Sequence, residues 1–173
     1  MLSNTLRNRP VLSLRSGGPI ATAVDVVIDP NNLKIIGWWC AAPGHPGDAV
    51  LLADDVREVM PTGLAVDDES AISAVADLVR HKEILQIKFT LLGKLVKTKR
   101  HKIGKVSDFT YDEGMFIQKI YVTKPLTKVF AAEDTLLIAR SQILEVTDTY
   151  ILVDEADARV TESSSVAAAA IAN

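Results

Sequence analysis

Two stretches decide the fold: Ile20-Ala-Thr-Ala-Val-Asp25-Val-Val-Ile-Asp29 and Ile103-Gly-Lys-Val-Ser-Asp108-Phe-Thr-Tyr-Asp112. Laid over each other, they place Asp25 on Asp108 and Asp29 on Asp112. Both are rich in β-branched or aromatic residues, and both end in an aspartate followed by turn residues, so each reads as a strand entering a hairpin. The likeness continues outward. Lys34-Ile-Ile-Gly-Trp-Trp-Cys40 lies over Phe116-Ile-Gln-Lys-Ile-Tyr-Val122. Val56-Arg-Glu-Val59 lies over Ile143-Leu-Glu-Val146, and Leu64-Ala-Val-Asp-Asp68 over Ile151-Leu-Val-Asp-Glu155. The small changes of offset fall where the chain reads as turns, which is where two copies of one fold tolerate insertions.

Each copy then holds a strand, a hairpin turn and a second strand. A polar loop follows, Ala41 to Asp48 or Thr123 to Thr127, and three short strands close the copy. Five or six short strands in so few residues predict a small barrel or sandwich. Between the copies, Ile72, Val75 and Val79 recur at helical spacing, and Asp68 or Ser70 suits the start of a helix. The spacing predicts a linker helix over residues 69–82, then a strand from Ile84 to Thr90. The domain plan is a first barrel over residues 9–68, the linker helix, a second barrel over residues 83–157, and a disordered Ser/Ala tail over residues 158–173.

Composition sets outer bounds. The 173 residues are 48% hydrophobic and 24% charged, so the chain can bury a core. Its one cysteine, Cys40, cannot bridge within the chain and reads as a small buried hydrophobe in a reducing, cytoplasmic setting. No apolar run approaches the roughly twenty residues of a membrane span, so no integral membrane segment is expected. The net charge of −3 gives no overall pull toward nucleic acid.

The stretch Leu92-Gly-Lys-Leu-Val-Lys-Thr98, followed by Ile103-Gly-Lys-Val-Ser-Asp108, a hairpin and a closing strand, resembles the PRC-barrel family. That module is known from the photosynthetic reaction-centre H subunit and from the C-terminal domain of the ribosome maturation factor RimM. The first copy departs from it: Ala21 stands where Gly104 does, and Val24 where Ser107 does. The resemblance implies a mainly β fold of two small antiparallel PRC-type barrels joined by a short α-helix. It implies docking modules without a shared catalytic residue, and the fold alone does not name a role.

The charged residues supply the candidates. Up to residue 82 there are 7 basic and 10 acidic side chains, and after it 12 of each. Half of those later basic residues crowd into one segment with Lys94, Lys97, Lys99, Arg100, Lys102 and Lys105, and His101 lies among them. This basic edge is a candidate surface for a partner or anion. It suits phosphates, an acidic protein, or simply a solvated hairpin whose lysines discourage edge-to-edge pairing. No aromatic interleaves it, which argues against base stacking. Trp38 and its counterpart Ile120 read as core. Trp39 and its counterpart Tyr121 are candidate interface residues.

The repeated aspartates have turn or strand-edge explanations, and the three histidines share no metal-ligand spacing. Neither phosphate-loop glycines nor a nucleophile motif occur. The sequence therefore predicts no catalytic residue, no metal and no cofactor. The expected role is a non-catalytic protein-binding or assembly module. The alternatives are a ribosome- or RNA-associated factor similar to RimM, and a peripheral subunit of a membrane complex. A homo-oligomer is compatible with each.

Overall fold

A computed structural model describes residues 2–124 and 135–154. They form a mainly β protein of two sheets, one curled into a half-barrel, with a single short α-helix. The expected tail over residues 158–173, and the part of the second polar loop that carries Pro125, lie outside the described residues. No helix among the described residues is long and apolar enough to cross a membrane.

The chain divides into two compact units. The first is Met1–Thr90 with Asp112–Phe116, and the second is Leu91–Tyr111 with the chain from Ile117 onward.

In the first unit the strands are β1 (Arg9–Ser13), β2 (Pro19–Asp29), β3 (Lys34–Ala42), β4 (His45–Leu52), β5 (Val56–Met60), β6 (Gly63–Val66) and β7 (Ile72–Ala74). They are hydrogen-bonded in the order β5-β6-β1-β2-β3-β4-β7. Every pairing is antiparallel except β1 with β6, where Val11 faces Leu64 in parallel. Asp29 builds the β2–β3 turn by accepting the Asn31 amide on Oδ1 at 2.9 Å, an Asx turn. Between β3 and β4 the expected loop from Ala41 to Asp48 is instead a tight hairpin, with Ala42 opposite His45. Gly44 makes it work, because its φ of +81° is a conformation open chiefly to glycine.

In the second unit the strands are β8 (Leu95–Lys97), β9 (Lys102–Tyr111), β10 (Ile117–Thr123), β11 (Thr135–Ala139), β12 (Ile143–Val146) and β13 (Tyr150–Val153). Their order is β11-β10-β9-β8-β13-β12, and again one pairing is parallel, β8 with β13.

The registers of the two sheets match position for position around the central hairpin. Val26 faces Trp38 in the first, and Phe109 faces Ile120 in the second. All four are buried, and in each pair one aromatic meets one β-branched residue, with the aromatic on opposite strands. Asp25 faces Trp39, and Asp108 faces Tyr121. One residue is skipped beside each aspartate, Val24 in the first sheet and Ser107 in the second, so a β-bulge sits at the same place in both. The aspartate carboxylate supports each bulge by accepting the next amide, that of Val26 at 2.8 Å and that of Phe109 at 2.7 Å.

The predicted linker helix is not there. Residues 69–82 break into a 3-10 turn at Glu69–Ala71, strand β7, and two further 3-10 turns at Val75–Asp77 and Val79–His81. Ile72 is buried in the ladder with Leu51, whereas Val79 is 75% exposed, so the helical spacing of Ile72, Val75 and Val79 describes no buried face. The open edge of β4 offers backbone partners to Ile72, Ser73 and Ala74, and that tertiary pairing overrides the local pattern. The α-helix α1 (Lys82–Ile87) comes later, over residues expected to begin a strand. Six residues are too few to hold a helix alone. Leu85 anchors it, 1% exposed, in a cluster with Val27 and Val50 against which Ile36 and Trp39 pack. Thr110 and Gln118 occupy the places of Val27 and Ile36 in the second sheet, so the face that is apolar in the first sheet is polar there.

Candidate functional site

The basic edge is a hairpin turn between β8 and β9, and its shape comes from Thr98. This threonine is 5% exposed, and its Oγ1 accepts the amides of Arg100 at 3.3 Å and His101 at 3.0 Å. Its own amide donates to the His101 carbonyl at 2.8 Å. Ser13 does the same in the first unit, where its Oγ accepts the Ser16 amide at 3.1 Å. A buried hydroxyl thus pins a tight loop, and Lys99, Arg100, His101 and Lys102 stand exposed on it.

The lysines expected to act together divide into two groups. Lys97 is half-buried, with its ammonium 3.6 Å from the centroid of the Tyr150 ring, a cation–π contact. Lys94 donates from Nζ to the Asp148 carbonyl at 2.7 Å and to the Thr147 carbonyl at 3.2 Å, so it ties the β12–β13 turn to β8. Burial pushes its pKa below the usual lysine range, and Asp148 offsets this in part. Both ammonium groups are engaged within the unit. Lys99, Lys102 and Lys105 are exposed and make no ion pair among the described residues.

A second bulge governs where Lys102 and Lys105 point. Leu95 faces Lys105 and Val96 faces Gly104, but Lys97 faces Lys102, so Ile103 is skipped. Side chains three apart on a regular strand point to opposite faces. The extra residue puts Lys102 and Lys105 on the same face, away from buried Val96 and Val106.

There they edge an open groove of about 370 Å³ in the second unit. Leu95, Ile103 and the Gly104 backbone wall it, with Thr123 at the end of β10 and Lys124 just after it. Gly104 lets β9 lie close to β10, since a Cβ there would collide with the Thr123 carbonyl. The sequence did not point to this groove, because only the bulge brings its residues together.

Trp39 and Tyr121 are both half-buried. Trp39 packs on the Val27, Val50 and Leu85 cluster, and so covers the helical segment rather than standing free. Lys88 lays its ammonium 5.6 Å from the Trp39 ring centroid and bonds Asp48 at 2.6 Å. An open hollow of about 520 Å³ beside them is lined by Val24, Trp39, Cys40, Asp48 and Lys88. Lys88 and Asp48 neutralise each other there. Tyr121 accepts the Ser107 hydroxyl on its backbone carbonyl at 3.2 Å.

Cys40 is buried, and burial pushes its thiol pKa up to about 11, the reverse of a reactive thiolate. The repeated aspartates are spent on structure. Asp25 supports its bulge and bonds Arg7 at 2.9 Å, while Asp29 and Asp112 each accept a turn amide. No three metal-ligating side chains converge among the described residues. No protein-family model matches this chain, and no curated protein matches its sequence.

Proposed function

We propose that the chain is a non-catalytic docking module made of two PRC-type units, and that its basic hairpin meets a protein partner. The observation that carries this reading is the Thr98-pinned turn, which displays Lys99 and Lys102 exposed and without an ion pair among the described residues. A rigid turn loses little entropy when it binds, so charge held this way is suited to recognition. The reading of two related units draws support from their common strand order, their common bulge at Asp25 and Asp108, and their single parallel pairing apiece.

A protein partner is favoured over RNA by one contact. The Tyr150 ring is the aromatic nearest in register to the basic turn, and Lys97 already lies on its face. It offers no platform for a base, and stacking is the usual complement to phosphate contacts on single strands. Affinity capture with and without nuclease separates the readings. Partners that persist after nuclease support protein docking. Partners lost on nuclease treatment would transfer the role to RNA.

A further inference from the structure

The groove of the second unit combines two chemistries on one surface. Its walls, from Leu95, Ile103 and the Gly104 backbone, ask for an apolar group. Its rim presents Lys102 and Lys105, both exposed and neither in an ion pair among the described residues. The cross-strand row Leu95–Lys105–Thr123 sets a lysine directly between an apolar and a hydroxyl neighbour. The Ile103 bulge adds Lys102 to that face. We propose that this groove seats an acidic segment of the partner protein, burying one apolar side chain against Leu95 and Ile103 while carboxylates on either side meet Lys102 and Lys105. This deepens the docking reading above and rests on it.

Three observations narrow the occupant. The groove is partly open, and its volume of about 370 Å³ has room for one or two side chains of a bound segment. Among the described residues the charge at the groove is of one sign, in contrast to the hollow of the first unit, where Lys88 and Asp48 pair with each other. Complementarity therefore selects carboxylates here and nothing in particular there. Nucleic acid would use the lysines but not the apolar walls, and no aromatic among the described residues lines the groove to stack a base.

The test uses the intact chain, labelled with nitrogen-15 and titrated with a synthetic peptide of sequence Glu-Glu-Asp-Leu-Phe-Asp-Glu-Glu. Saturable amide shifts are expected at Leu95, Ile103, Gly104, Lys105 and Thr123. Replacing the peptide's leucine and phenylalanine by alanine, or its acids by glutamine, should each weaken binding at least tenfold. The double change Lys102→Glu with Lys105→Glu should do the same, and Lys102→Gln with Lys105→Gln serves if the charge reversal disturbs folding. No saturable shift, shifts confined to other residues, or equal binding of the alanine peptide would overturn the proposal. So would a uridine dodecamer that binds the same residues more tightly than the peptide. A nuclease-resistant partner captured equally by wild type and double variant would overturn the groove while leaving the docking reading intact. Specific peptide binding without any captured partner would support the groove and count against that reading.

Discussion

Lys88 holds its ammonium over the ring of Trp39, 5.6 Å from the centroid, while its own backbone sits in the left-handed region at φ +48°. It ends α1 in the place where helices usually carry glycine. Two opposed effects therefore meet at one residue. Lys88→Ala keeps the backbone strain and loses the contacts with Trp39 and Asp48, and should destabilise by about 1 kcal/mol. Lys88→Gly loses the same contacts but relieves strain of about 1 kcal/mol, and should be close to neutral. Urea unfolding of the two variants checks the order.

Trp39→Ala removes a half-buried ring from the Val27, Val50 and Leu85 cluster. Full burial of such a ring is worth about 3–5 kcal/mol, so a cost of about 2 kcal/mol is expected. The α1 amides should lose hydrogen-exchange protection before those of β8–β10.

Gly104→Ala should cost about 1–3 kcal/mol, because the new Cβ meets the Thr123 carbonyl, which is backbone and cannot swing aside. The corresponding position in the first sheet is Ala21, which faces Val11 as Gly104 faces Val96. Ala21→Gly should cost no more than about 1 kcal/mol, the entropic penalty of glycine. Thermal melts of both variants test the contrast.

Thr98→Val keeps the shape and removes the acceptor of two amides. A loss of about 1 kcal/mol is expected. Faster amide exchange at Arg100 and His101, with the β12–β13 turn unchanged, would mark the effect as local to the basic hairpin.

The Cys40 thiol has its pKa raised from 9.0 to about 11 by burial. The folded state therefore disfavours the thiolate. Stability from this group is fully present below pH 9.0 and falls as pH rises toward 11. Cys40→Ala should flatten the loss of stability across that window relative to wild type. A thiol reagent at neutral pH should label the native chain slowly and the urea-unfolded chain at once.

Much of the strand plan was legible because it rests on local chemistry. Asp29 and Asp112 marked the hairpin turns, and the residues laid over each other by sequence meet equivalent partners in the ladders, as Asp25 with Trp39 and Asp108 with Tyr121 show. What failed was context. Residues 72–74 look helical in isolation and are a strand because β4 has an edge to fill. Residues 82–87 look like the start of a strand and form a helix because Leu85 has an apolar cluster to enter. The groove escaped for a related reason. A bulge changes which face a side chain occupies, and nothing in the order Lys102-Ile-Gly-Lys105 announces that Ile103 is the residue skipped.

The parallel pairing of β1 with β6, and of β8 with β13, bears on how the chain comes to be folded. Each unit is shut by a ladder between its opening strand and a strand near its end, Val11 with Leu64 and Val96 with Ile151. The hairpins between can form early, but the closing ladder waits on the widest loop in the unit and carries its entropy. During synthesis, β1 and β8 must each wait, edge unfilled, until β6 or β13 leaves the ribosome. In the second unit the same adjacency brings the two ends of the strand set, β8 and β13, together, whereas in the first unit β7 follows β6 and pairs with β4 instead.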